Sequence, residues 1–111
     1  MVEPDETLRC YNPAPVRAMS ELLTGISRVR PYLREIGAPA LVAHSVRDAL
    51  VPLESAEEIA SRLSGTVERL YLDGCGHAIT ADAKREEVAE ASAAFVRRVL
   101  EERQPPEALS A

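Results

Sequence analysis

Two short apolar segments with a helical pattern between them limit most strongly what this chain can form. Residues 38–44 are almost wholly apolar, as in a strand buried on both faces, and residues 67–72 are β-branched, aromatic and aliphatic. Residues 54–63 place apolar side chains at every third or fourth position, which predicts an amphipathic helix. Strand, helix and strand in this order predict a βαβ unit with parallel strands and a right-handed crossover.

Helical patterns also flank this unit. Residues 15–36 carry apolar side chains every three or four positions, with interruptions at Gly25 and Pro31, which predicts two short helices or one kinked helix. Asp82 is a residue type that favours helix N-caps and is expected to begin a last helix. One face of that helix is marked by Val88, Ala91, Phe95 and Val99.

The composition fits a single globular domain. The chain has 111 residues, of which 46% are apolar and 28% charged. This length allows one modest core. We expect residues 1–14 to be an irregular lead-in, residues 15–103 to form the folded part and residues 104–111 to be a flexible tail.

Charge and hydropathy exclude several classes of protein. The net charge of −5 comes from interspersed acids and bases, so no basic cluster is present that would favour nucleic acid as a partner. No apolar run approaches the roughly 20 residues of a membrane helix, and the acidic start is unlike a signal peptide, so a cytoplasmic location is expected. Cys10 and Cys75 are predicted to be free thiols.

A polar loop follows each predicted strand. Asp48 lies in the loop after residues 38–44, and His77 lies in the loop after residues 67–72. Because neighbouring parallel strands end at the same edge of a sheet, we expect these two side chains to meet there. A carboxylate so placed holds an imidazole in one tautomer and stabilises its protonated form.

The segment from Ala38 to His77 resembles the acid-to-histidine part of the α/β-hydrolases. It reads A-P-A-L-V-A-H-S-V-R-D-A-L-V-P, then a helical pattern, a strand pattern and D-G-C-G-H. It is most similar to the branch of carboxylesterases, monoacylglycerol lipases and serine-aminopeptidase-like enzymes, although Ser45 replaces a common glycine and Cys75 a common serine or other small residue. His77 follows Asp48 by 29 positions (77 − 48), which fits the Ser, Asp, His order of that fold.

The resemblance implies a fold, an activity and roles for two residues. The chain would be the C-terminal βαβα portion of an α/β-hydrolase, with residues 15–36 as the end of a cap and the helix returning to the core, and residues 38–103 as the acid-to-histidine segment. Asp48 would be the acid of a Ser-His-Asp triad and His77 its general base. The substrates would be esters of short or medium acyl chains, and no cofactor is implied.

The nucleophile of such an enzyme is absent from the sequence. The 111 residues contain no G-x-S-x-G and no H-G-x loop that would supply oxyanion donors. Ser45 has no flanking glycines and is not expected to act as a nucleophile. The resemblance therefore implies a fragment with acid and base but no serine, which we expect to be inactive by itself.

Two other functions fit the same residues. A non-catalytic α/β module would dock on a partner, or on a second copy, through the open edge that two parallel strands leave. A metal site is the third hypothesis, and His44, His77, Cys10 and Cys75 have the right ligand types for it. Their spacing matches no known finger or knuckle, so no metal is expected and His44 is predicted to have a structural role.

Overall fold

A computed structural model describes residues 15–103 of the chain. It contains α1 (Val16–Val29), a 3₁₀ helix (Arg30–Glu35), β1 (Ala40–Ser45), α2 (Leu53–Arg62), β2 (Val67–Leu72) and α3 (Arg85–Arg103), in that order. The predicted lead-in 1–14 and tail 104–111 lie outside the described residues. The mixed α/β class and the predicted order of helices and strands from residue 15 onward are confirmed.

The two strands form a parallel sheet, as predicted. They pair without a bulge from Ala40 opposite Val67 to Ser45 opposite Leu72. The first strand starts two residues later than predicted, where the N–H of Ala40 donates to the carbonyl of Thr66 at 2.9 Å. The segment before Ala40 instead passes close to the turn at Gly65, where a Cβ atom would lie 2.3 Å from the carbonyl oxygen of Gly37.

Helices cover both faces of the sheet. On one face, Glu57 of α2 accepts hydrogen bonds from Arg69 and Tyr71. These two residues are two positions apart in β2, so they point to the same face of the sheet. On the other face, Leu72 packs with Val88 of α3 and with the completely buried Cys75. The result is a small three-layer arrangement in which the loops after β1 and β2 leave the same edge of the sheet.

The first helix corrects the expected interruption at Gly25 and confirms the one at Pro31. α1 continues through Gly25, because an exposed glycine costs a helix only about 1 kcal/mol and a Cβ at this position would meet nothing within 4 Å. The interruption comes at Pro31, which lacks the N–H that an α-helix needs, so the chain continues as the 3₁₀ helix.

The apolar face of α1 is not covered within residues 15–103, since the helix packs only against the 3₁₀ helix that follows it. The exposed fractions of its apolar residues run from 45% to 85%, and these residues are Val16, Met19, Leu22, Leu23, Ile26 and Val29.

Among the described helices, none combines the length and the apolarity needed to cross a membrane.

Candidate functional site

Asp48 and His77 meet at the edge of the sheet where both strands end. The Nδ1 atom of His77 lies 2.6 Å from the Oδ2 atom of Asp48, which is hydrogen-bond distance. The register explains this proximity, because Ser45 and Leu72 are the last pair of the sheet and the two loops begin directly after them. The predicted proximity is confirmed, while a catalytic role for the pair stays a prediction.

The carboxylate of Asp48 is enclosed by its own loop. Its side chain is only 1% exposed. Oδ1 accepts hydrogen bonds from the backbone N–H groups of Leu50 at 2.7 Å and Val51 at 2.8 Å. Oδ2 accepts a hydrogen bond from the imidazole of His77. All three donors therefore fix both the position and the orientation of this carboxylate.

These contacts keep Asp48 ionised. Burial by itself raises the pKa of the Asp48 carboxyl, but hydrogen bonds from Val51, His77 and Leu50 outweigh burial and lower the pKa below the ordinary value of 3.8. Attraction to the imidazole of His77 acts in the same direction. Asp48 is thus a negative charge at neutral pH, and it lies directly beside Nδ1 of the His77 ring.

The other ring nitrogen of His77 is available. The side chain is 49% exposed, and among residues 15–103 its Nε2 atom has no hydrogen-bond partner. The ring borders a cleft of about 420 Å³, lined by Arg47, Ala49, Leu50, Asp73, Gly74, Cys75, Gly76 and His77. A group bound in this cleft would lie beside an imidazole whose Nδ1 is held by the carboxylate of Asp48 and whose Nε2 has no hydrogen-bond partner within residues 15–103.

Ser45 and His44 have structural contacts, in agreement with the sequence analysis. Ser45 is fully buried, and its hydroxyl donates to the carbonyl oxygen of Cys75 at 2.6 Å. His44 places Nε2 2.9 Å from the carbonyl oxygen of Val51, in the loop that carries Asp48. The buried hydroxyl of Ser45 is thus engaged with the backbone and closed to any substrate.

The predicted ligand types do not assemble into a metal centre within the described part of the chain. No group of three or more His, Cys, Asp or Glu side chains that could hold a metal ion is found there. Cys75 is a free, buried thiol, as predicted, and Cys10 lies outside the described residues.

Asp82 has a contact that the sequence analysis missed. It was expected to cap the last helix, but α3 begins only at Arg85, and Asp82 instead starts the turn before it by accepting the N–H of Ala83 on Oδ1 at 2.8 Å. Its Oδ2 atom accepts the N–H of Gly76 at 2.6 Å, one residue before His77. The glycine at position 76 fits this contact, because a Cβ there would lie 3.0 Å from that oxygen. The sequence offers no further signal for it.

No protein-family model matches the chain, and no curated protein matches it either.

Proposed function

We propose that Asp48 and His77 are the acid and the general base of a serine hydrolase that acts on carboxylic esters. The nucleophilic serine would come from a segment other than these 111 residues. The observation that carries the proposal is the 2.6 Å contact between Nδ1 of His77 and Oδ2 of Asp48, combined with an Nε2 that has no hydrogen-bond partner among residues 15–103. The resemblance of residues 38–77 to the acid-to-histidine part of the α/β-hydrolases supports the same reading.

The proposed chemistry uses both nitrogens of the ring. Nε2 of His77 takes the proton of the serine hydroxyl as its oxygen attacks the ester carbonyl. The imidazolium that forms is stabilised by the charge of Asp48, and the Asp48 carboxylate stays ionised throughout. His77 then gives the proton to the departing alcohol, an acyl-enzyme remains, and water, activated by the same base, hydrolyses it.

This chain alone would not complete the cycle. Its sequence has no G-x-S-x-G, and Ser45, which is closest to Asp48 in sequence, is buried and hydrogen-bonded to Cys75. Loss of the nucleophile in a triad enzyme lowers kcat by about a million-fold. We therefore expect the purified chain to be inactive on esters and to remain unlabelled by fluorophosphonate probes, and labelling at Ser45 would contradict this.

The decisive experiment starts from the DNA upstream of the codon for Met1. Translation in every frame should reveal a segment with a strand pattern followed by G-x-S-x-G. The joined protein should then hydrolyse short-chain p-nitrophenyl esters and react with a fluorophosphonate at the serine of that motif. In this protein, His77→Ala should lower kcat about 10⁶-fold and Asp48→Asn about 10⁴-fold.

A matched control is Glu90→Gln. Glu90 is exposed on α3 and does not line the cleft, so kcat should stay close to the wild-type value. The proposal is wrong if the joined protein hydrolyses esters equally well after His77→Ala, or if no frame encodes a nucleophile.

A second function, a non-catalytic module that docks through its sheet, is favoured by a separate observation. The two-stranded sheet leaves one edge of β1 and one edge of β2 without a strand partner within residues 15–103. A stop codon in every upstream frame, together with assembly of this chain through either edge, would favour the module over the hydrolase.

A further inference from the structure

We infer that Ser45 and Asp82 are positioning residues that set the orientation of the His77 imidazole by fixing the peptide group between Cys75 and Gly76. This inference rests on the proposed role of His77 as the general base. Neither Ser45 nor Asp82 is among the residues that line the cleft.

One peptide group is held at both of its ends. Its carbonyl oxygen, on Cys75, accepts the hydroxyl of Ser45 at 2.6 Å, and its N–H, on Gly76, donates to Oδ2 of Asp82 at 2.6 Å. Both partners are buried, with Ser45 at 0% and Asp82 at 8% exposure. Hydrogen bonds that are shielded from water, one of them to a charged acceptor, hold a peptide plane more firmly than exposed ones.

The clamped peptide lies directly before His77. Gly76 is the only residue between the two, and glycine has the greatest backbone freedom of any residue. Without a clamp, rotation about the bonds of Gly76 would swing the imidazole away from Asp48. A side chain in place of glycine would not solve this, since its Cβ would lie 3.0 Å from the carboxylate oxygen that makes the clamp.

The clamp also connects the two loops of the site. Ser45 is the last residue of β1, and its carbonyl oxygen accepts the N–H of Asp48 at 3.3 Å. The same residue thus contacts the start of the acid loop through its backbone and the start of the histidine loop through its side chain. Displacement of either loop alone would break one of these bonds.

A purely structural role for Asp82 makes a different prediction. Oδ1 accepts a hydrogen bond from the N–H of Ala83 and so supports the turn that leads into α3, whereas Oδ2 accepts one from the N–H of Gly76. If only the first contact matters, loss of Asp82 will destabilise α3 and leave the state of His77 unchanged. The two roles therefore separate in an experiment that reads the ring itself.

The experiment uses the full chain labelled with ¹⁵N and follows the two ring nitrogens of His77 by NMR at a pH where the ring is neutral. In the wild type, the nitrogens should give well-separated signals for Nδ1–H and unprotonated Nε2, because Nδ1 donates to Asp48. Asp82→Ser, which keeps a capping oxygen but is too short to reach Gly76, should cause loss of this separation, and Ser45→Ala should do the same. Asp82→Asn keeps the reach and one acceptor, so it should retain most of the separation.

The matched control is Ser64→Ala. The hydroxyl of Ser64 donates to the carbonyl oxygen of Ile36 at 3.0 Å, which is the same kind of link far from the site, so its loss should leave the ring signals unchanged. Wild-type ring signals in both Asp82→Ser and Ser45→Ala, with a lower Tm, would overturn the inference. If Asp82→Ser shows no folded state, Ser45→Ala decides alone, because it leaves the turn before α3 intact.

No serine nucleophile and no ester are needed for this measurement. A failure of the clamp would appear as unchanged ring signals in the variants, whereas a failure of the proposed hydrolase would appear as missing activity in the joined protein. The two results are therefore independent.

Discussion

The two oxygens of Asp48 act on different parts of the molecule. Oδ1 closes the acid loop on the N–H groups of Leu50 and Val51, and Oδ2 orients His77. One side chain thus stabilises a loop and orients an imidazole. The lowered pKa of this carboxyl means that the free energy of unfolding depends on its ionisation. The direction of this dependence on pH can be tested.

Asp48→Asn should lower the free energy of unfolding at neutral pH by about 2 kcal/mol, since three N–H donors lose a charged acceptor. The folded-state pKa lies below the ordinary value of 3.8. The stabilisation by Asp48 is therefore fully present above about pH 4 and is lost as the pH falls through the folded-state pKa. Urea denaturation followed by circular dichroism should show that the variant loses less stability than the wild type between about pH 5 and about pH 2.

Glu90→Gln is the control for this prediction, because Glu90 is exposed on α3 and lies outside both loops of the site. Its stability should follow the pH dependence of the wild type. Parallel curves for Asp48→Asn and the wild type would mean that the contacts of Asp48 contribute nothing to folding.

At the scale of the elements, two glycines show where the backbone is crowded. Gly65 lies in the turn between α2 and β2, and a Cβ there would lie 2.3 Å from the carbonyl oxygen of Gly37 and 2.8 Å from that of Ala38. Gly25 lies on the exposed α1 and has free space around it. The turn, and not the helix, therefore requires a glycine.

Gly65→Ala should lower the free energy of unfolding by about 2 kcal/mol, because the backbone at residues 37–38 must move away from the new methyl group. Gly25→Ala should not lower it, since alanine favours a helix over glycine. Thermal unfolding of both variants measures the difference. A Tm for Gly65→Ala equal to that of the wild type would contradict the close approach.

Much of the fold could be predicted from local pattern. The bounds of β2 were predicted at 67–72 as observed, and the parallel pairing followed from the order of the elements. The start of β1 and the uninterrupted α1 could not be predicted in this way. The first depends on contact between residues 37–38 and Gly65, which are distant in sequence, and the second on a tertiary environment that leaves Gly25 exposed.

The site was predictable to a similar degree. Asp48 and His77 stand out because each follows a strand pattern, so their meeting could be inferred from topology. The second contact of Asp82 could not, because its link to Gly76 exists only once the turn before α3 folds back on the histidine loop. The order of strands and loops therefore predicts the contact between Asp48 and His77, but not the one between Asp82 and Gly76.

At the scale of the whole molecule, apolar surface remains in excess. The exposed face of α1 and the two strand edges that have no partner within the described part of the chain are features that monomeric proteins normally cover. Within residues 15–103, no element other than the 3₁₀ helix packs on α1. Association with a further segment or with a second copy would remove this surface from water.

The chain on its own should self-associate as its concentration rises, through burial of apolar surface. Replacing Leu22 and Leu23 with glutamine removes two side chains that are 56% and 61% exposed and should reduce the association. Analytical ultracentrifugation measures this, and the Tm should change little, because α1 makes few contacts. Thr24→Gln on the same helix is the control, and a monodisperse monomer at every concentration would contradict the prediction.

The unbroken pairing from Ala40 to Ser45 with Val67 to Leu72 also limits how the length of this protein can vary. Inserting one residue into either strand would shift one loop by about 3.3 Å and turn every later side chain of that strand to the opposite layer. The spacing between carboxylate and imidazole would then be lost without any change to either group. Additions are compatible with this spacing only where they do not alter the number of paired rungs.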